Sequence, residues 1–180
     1  MACLFQSVTT RTSGFALISQ KGLTDASVII CVILMFIGGS PIGTAGGVKT
    51  TTIAVAFIEA WSVIKGQNCA VVFKRTIPVQ TMRRGILVLG IFFFCFVASS
   101  VTLLLVSPGE LSDVIFETAS ALGSAGITRD YTKGLTFAGK CIIIGCMYFG
   151  RIGPVSLALA FQGRTDETAG RYKEEDIMIG

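Results

Sequence analysis

Histidine is absent from the 180 residues. Without it, neither the commonest zinc ligand nor a histidine-based catalytic triad can be assembled. Charge is scarce too: Asp, Glu, Lys and Arg make up 14% of the chain, against 52% hydrophobic residues. With a mean hydropathy of +0.73, the composition places the sequence among membrane proteins rather than soluble α/β domains. Six cysteines (Cys3, Cys31, Cys69, Cys95, Cys141 and Cys146) form no CxxC pair and sit mostly in apolar runs; they read as buried packing thiols. No cleavable signal is expected, because the apolar start is short and polar TTRTSG comes soon after. Acidic residues are missing between Lys65 and Arg84, where five basic residues stand. Such one-sided positive charge marks a cytoplasmic loop. No aromatic platform accompanies it, so nucleic acid is not an expected partner.

What is present is an interrupted apolar stretch. Ala26–Ile37 runs straight into GGSPIGTAGGVKTTT (Gly38 to Thr52), and apolar sequence resumes at Ile53. Together these parts span about 40 residues; as one straight helix they would measure ~60 Å, roughly twice the hydrocarbon thickness of a bilayer. Five glycines, a proline and four threonines in the middle cannot continue a helix cheaply. Irregular backbone at membrane depth is tolerated where it is buried in protein or lines a watery cavity, so the interruption points to a pathway for something polar.

Further along, Gly85–Val106 is a run of 22 residues without a charge, the length of one crossing. Acidic, turn-like SPGELSD follows, then Val114–Leu122, too short to cross, then GSAGITRDYTKG and a second crossing-length span, Leu135–Phe161. A half-crossing helix, a glycine-containing loop and a returning helix make the hairpin unit of potassium-channel pores. The tail from Gln162 to Gly180 would lie in the cytoplasm by parity. An internal repeat supports the hairpin. Thr12-Ser13-Gly14-Phe15 and Ser124-Ala125-Gly126-Ile127 share the order hydroxyl, small, glycine, apolar, and follow Phe5-Gln6-Ser7 and Phe116-Glu117-Thr118 with a slip of one residue. Gly38 lies 24 residues after Gly14, and Gly150 lies 24 after Gly126. The predicted fold is therefore an all-α membrane protein of helix–pore helix–helix repeats, present in part. Residues 1–64 form the later part of one repeat, 65–84 a basic cytoplasmic linker, 85–161 a complete repeat and 162–180 a tail.

In a pore, the carbonyls of Thr12, Ser13, Gly14, Phe15 and of Ser124, Ala125, Gly126, Ile127 would replace the water shell of a monovalent cation. The glycines supply the positive φ that turns successive carbonyls to one axis. Either quartet alone reads equally as an ordinary turn between helices; the matched pair favours a filter. The Gly38–Thr52 run has three readings. As a gate it would use Gly38, Gly39, Ser40, Gly43, Thr44, Gly46, Gly47 and Lys49. As a phosphate loop it places Gly43, Lys49 and Thr50 suitably, yet Val48 stands where a glycine belongs. As a packing face it would use Gly46 and Gly47. Arg151 falls inside the second crossing-length span, where an arginine faces a protein interior or cavity; it either reaches the loop and holds a closed state or pairs with an acidic group outside the chain. Glu117 reads as a brace for its own short helix. Without histidine, a carboxylate pair or a complete phosphate loop, no enzyme activity is expected.

TTRTSGF (Thr9 to Phe15), GGSPIGTAGGVKTTT (Gly38 to Thr52), SALGSAGIT (Ser120 to Thr128) and MYFGRIGPVSLALAF (Met147 to Phe161) resemble the Trk/Ktr/HKT superfamily of potassium transporters, most of all its bacterial Ktr-type membrane subunit. The resemblance covers nearly the whole chain in the family's order. It implies a pseudo-fourfold pore of four hairpin repeats in one polypeptide, of which this chain resembles about one and a half. It implies Gly14 and Gly126 as filter glycines, Gly38–Thr52 as an intramembrane gating loop and Arg151 as the arginine beneath the filter. It also implies potassium as the substrate, sodium as a candidate coupling ion, and no covalent cofactor. The implied setting is the cell membrane, as a multi-pass homodimer docked on a cytosolic nucleotide-binding regulatory ring. The Lys65–Arg84 loop and the tail would be contact surfaces. Relative to such a pore two filters are missing, and the expectation is a truncated gene product, a mis-assigned start or a split subunit. A non-conducting membrane scaffold is the alternative reading.

Overall fold

The computed structural model describes residues 2–40, 46–66, 71–72 and 75–153. Its α-helices are α1 (Ala2–Thr9), α2 (Asp25–Phe36), α3 (Thr50–Ile64), α4 (Val79–Val106), α5 (Leu111–Gly123) and α6 (Phe137–Ile152), with 3₁₀ turns at Gln20–Gly22 and Tyr131–Gly134. The fold is all-α apart from a two-residue antiparallel pair, Val71–Val72 with Arg75–Thr76, between α3 and α4.

Helix α4 has 28 residues, about 42 Å at 1.5 Å per residue. Among the described residues it is the one helix long and apolar enough to cross a membrane. It starts after Pro78, whose missing N–H costs nothing at a helix start, and takes in Arg83 and Arg84. The charge-free run from Gly85 is thus the body of a longer helix with a basic entry. Leu103 is fully buried while Leu105 is 80% exposed, so one face packs inward and the other is apolar and uncovered.

Helices α2 and α3, of 12 and 15 residues, are each about 18–22 Å long, and neither spans a bilayer alone. The described residues that flank the break lie side by side. Ile37 and Val48 form a parallel bridge: Gly38 N donates to the Val48 carbonyl at 2.8 Å, and Val48 N donates to that of Phe36 at 3.2 Å. Thr50 N then donates to Gly39 O at 3.3 Å. These bonds satisfy some of the backbone groups that the helix break frees, as an apolar surrounding requires.

Helix α5 is the centre of the fold, packed by α2, α4 and α6. Val114 and every residue from Phe116 to Gly123 are buried. Phe116 and Ala119 face Val28, Cys31 and Met35, whereas Val114, Ala121 and Leu122 face Phe92, Leu103, Ile143 and Cys146. A hydroxyl pair, Ser100 and Thr118 at 2.8 Å, ties α4 to α5. Glycines set the helix spacing. A Cβ on Gly150 would collide with the Leu122 carbonyl, and one on Gly123 would lie 2.5 Å from that of Met35. Between helices in lipid, such close backbone packing does the work that hydrophobic transfer does in water. Helix α6 is capped by Thr136, whose hydroxyl accepts from Gly139 N at 3.2 Å, and gives way at Gly153 with φ +80°. The later part of the Leu135–Phe161 span, from Pro154, lies outside the described residues, as does the tail.

Candidate functional site

The two quartets share an unusual backbone. Thr12 and Gly14 have φ of +60° and +74°, and Ser124 and Gly126 have +54° and +76°; Ser13 and Ala125 between them stay negative. A threonine at positive φ is a true outlier, costing about 1–3 kcal/mol that the surroundings must hold. Alternating the sign of φ turns successive peptide planes the same way. In such a backbone, carbonyls that would alternate along a strand can gather on one side. The quartets also meet: a Cβ built on Gly126 would lie 3.3 Å from the Gly14 Cα, and one on Gly14 would lie 3.8 Å from the Ala125 carbonyl oxygen. The quartets differ at their apolar ends, because Ile127 is buried against α2 and α5 and Phe15 is 71% exposed.

The one-residue slip has a plain origin. Helix α1 ends at Thr9, three residues before Thr12, whereas α5 runs to Gly123, directly before Ser124. The left-handed Ser124 caps α5, with its N–H donating to the Ala121 carbonyl at 3.2 Å and Ala125 N donating to that of Ser120 at 2.9 Å.

The segment beyond Gly126 is fastened to α5 in three steps. Ile127 N donates to Ser120 Oγ at 3.0 Å, Thr128 Oγ1 donates to Glu117 Oε2 at 2.8 Å, and Arg129 Nε lies 3.1 Å from Asp113 Oδ1. Asp113, Glu117 and Ser120 stand at i, i+4 and i+7, one face of a helix, and hold residues 129, 128 and 127 in reverse order. The second oxygen of Glu117 accepts from the Thr132 hydroxyl. Glu117 therefore braces the segment beyond the quartet. Tyr131 donates to the Ser107 carbonyl, tying this segment to the end of α4. At the exposed rim, Lys133 donates to Asp130 at 2.7 Å; this hydrogen bond, then the charge, lowers the carboxyl and raises the ammonium.

The first quartet is held by neutral groups. Thr9 Oγ1 donates to the Phe15 carbonyl, Ser13 Oγ donates to Thr9 O at 3.2 Å, and buried Gln6 and Gln20 exchange amide hydrogen bonds of 2.6 and 3.2 Å. The pairs Gln6–Gln20, Asp113–Arg129 and Glu117–Thr132 do not stand out in the sequence as motifs. Only the i, i+4, i+7 spacing of Asp113, Glu117 and Ser120 on α5 offers a signal.

The interrupted loop lies against the second quartet. Gly46 packs so tightly on Ser124 that a Cβ there would collide with its side chain, and Gly38 meets the Gly46 carbonyl just as closely. A Cβ built on Gly47, at φ +76°, would lie 3.2 Å from Gly38 Cα and 3.3 Å from the Met35 carbonyl oxygen, so a larger residue there is strained. Gly38, Gly46, Gly47 and Val48 are buried, Gly39 half-buried and Ser40 exposed; Lys49 is the residue before α3. Gly43 and Thr44 lie outside the described residues. Arg151 sits in the last turn of α6 and is exposed, one residue beyond the Gly150 contact with α5. Among the described residues no three His, Cys, Asp or Glu side chains gather as metal ligands.

Comparison with known proteins bears on the whole chain. Residues 1–168 match TrkH, a family described as cation transport proteins. The chain is 33% identical over its full length to the Ktr system potassium uptake protein B of Vibrio alginolyticus, covering 39% of that protein. Identity to the protein of the same name from Bacillus subtilis is 32%, over 99% of the chain and 40% of that protein. The potassium/sodium uptake protein NtpJ of Enterococcus hirae is 36% identical over 98% of the chain and 40% of its own length. The chain thus spans about two fifths of these curated relatives.

Proposed function

Because the chain belongs to the TrkH family of cation transport proteins, we propose that it builds part of a pathway for potassium uptake across the cell membrane. Thr12–Phe15 and Ser124–Ile127 are its filter segments. The observation that carries this reading is the shared alternation of φ at 12, 14 and at 124, 126, in two segments that meet at Gly14 and Gly126. Carbonyls gathered on one side replace the hydration shell of a monovalent cation without any side-chain charge. The C-terminal end of α5, aimed at Ser124, adds negative partial charge. A family of transporters carries out no covalent reaction, and the chain is not an enzyme.

Gly38, Gly39, Ser40, Gly43, Thr44, Gly46, Gly47 and Lys49 form the gate, with Arg151 holding it closed. The contact of Gly46 with Ser124 supports the loop's position beneath the second segment. Sodium is the second ion to test, since one relative is named for potassium and sodium uptake. The bilayer, a second copy and a cytosolic nucleotide-binding regulatory ring are the partners. The ring would meet the basic Lys65–Arg84 stretch and the 162–180 tail.

The test is rubidium-tracer uptake in cells that lack their own potassium uptake, comparing the protein with its Gly126→Ser variant. Uptake abolished or made unselective by the variant supports a filter at Gly126. Equal, equally selective uptake would remove Gly126 from the pathway, and membrane insertion without uptake in either would favour the scaffold reading.

A further inference from the structure

Arg129 follows the second quartet closely and is only 7% exposed. Its Nε lies 3.1 Å from Asp113 Oδ1, with side-chain exposures of 8% and 19%. Among the described residues neither its Nε nor its Nη1 makes a hydrogen bond, and neither does Asp113 Oδ1, so the contact is an ion pair without hydrogen-bond geometry. A buried pair so incompletely satisfied is a poor stabiliser, since desolvation offsets the attraction. Its best-attested use is to fix register.

Register is what this place demands. Ser124–Ile127 is tied at one end to the last turn of α5 and at the other to the rungs Ser120–Ile127, Glu117–Thr128 and Asp113–Arg129. Helix α5 is packed by α2, α4 and α6 and serves as a rigid ruler for the segment. Of the three rungs, the outermost is the ionic one and the farthest from Gly126. We propose that the Asp113–Arg129 pair is a positioning clamp that sets the ion discrimination of the second filter segment. The proposal rests on the cation pathway above and deepens it. The first segment has a neutral Gln6–Gln20 pair instead, so the clamp acts on one side of the pathway. With Arg129 neutralised, the two inner rungs still fold the segment while its carbonyls gain play. The result is conduction with poor discrimination rather than loss of conduction.

The experiment measures rubidium and sodium uptake for the protein, Arg129→Gln, Arg129→Lys and the charge exchange Asp113→Arg with Arg129→Asp, together with amide hydrogen exchange over residues 124–128. Arg129→Gln should lower the rubidium-to-sodium ratio about tenfold, equivalent to about 1.4 kcal/mol, and speed exchange. Arg129→Lys, which keeps the charge, should recover most of the ratio. The charge exchange should recover part of it. A ratio is independent of how much protein is made, so lower expression alone would not move it. An unchanged ratio in folded Arg129→Gln overturns the clamp. Absence of rubidium uptake in the parent protein overturns the pathway instead; hydrogen exchange then decides the clamp alone, with unaltered exchange in Arg129→Gln refuting it. Where Arg129→Gln yields no folded protein, Asp113→Asn is read against the same two outcomes.

Discussion

A threonine held at φ +60° and a serine at +54° concentrate strain at two places 112 residues apart. Glycine would relieve it at either place, so the side chains stay for another reason. Thr12→Gly should leave the melting temperature unchanged or raise it, because about 1–3 kcal/mol of backbone strain is released against glycine's larger unfolded-state entropy. Discrimination between rubidium and sodium should nevertheless fall; a variant that keeps full discrimination would deny the hydroxyl a part at the filter. The opposite holds for Gly126. A Cβ there meets the Gly14 Cα at 3.3 Å and must sit at φ +76°, so Gly126→Ala should cost about 1–2 kcal/mol and reduce uptake at least about tenfold. Thermal melting in detergent and the initial uptake rate read the two effects separately. The need for glycine at 14 and 126 is legible in the sequence from the matched order of residue types. The Asp113–Arg129 pair is not, because a lone arginine in a polar loop looks solvated until α5 is laid beside it.

The interrupted helix is the element most legible in advance, since no other conformation suits five glycines and a proline between two apolar runs. Its closure by Gly38–Val48 hydrogen bonding depends on a parallel bridge that residue types do not announce. Helix ends are less legible. The first six residues of α4, 79–84, read as linker because of their charge, yet the helix begins directly after Pro78. In the same way the one-residue slip between the repeats records only where α1 and α5 stop. Two changes test the loop as a gate. Gly46→Ala places a methyl into Ser124 and drives the loop off the filter segment, while Arg151→Ala removes the charge proposed to hold it. Both should raise the basal rate of rubidium uptake; rates at or below the parent's, with equal protein in the membrane, would count against the loop as a gate.

At the scale of the molecule, the described residues bury α5 and leave apolar faces open on the helices around it. Ile29, Ile30 and Ile33 of α2, and Phe93, Phe94 and Leu105 of α4, are all more than half exposed. So much exposed apolar surface suits lipid or further transmembrane helices rather than water. The protein should therefore stay with the membrane pellet after alkaline carbonate extraction, and release into the supernatant would contradict its bilayer setting. The curated relatives are more than twice as long as the chain. An ion is proposed to shed its water where Gly14 and Gly126 meet. The most direct measurement is anomalous diffraction from crystals of the protein grown with thallium(I), a heavy stand-in for potassium. The account predicts a peak between Thr12–Phe15 and Ser124–Ile127, lost when sodium replaces thallium. Ordered filter segments with no peak between them would contradict it.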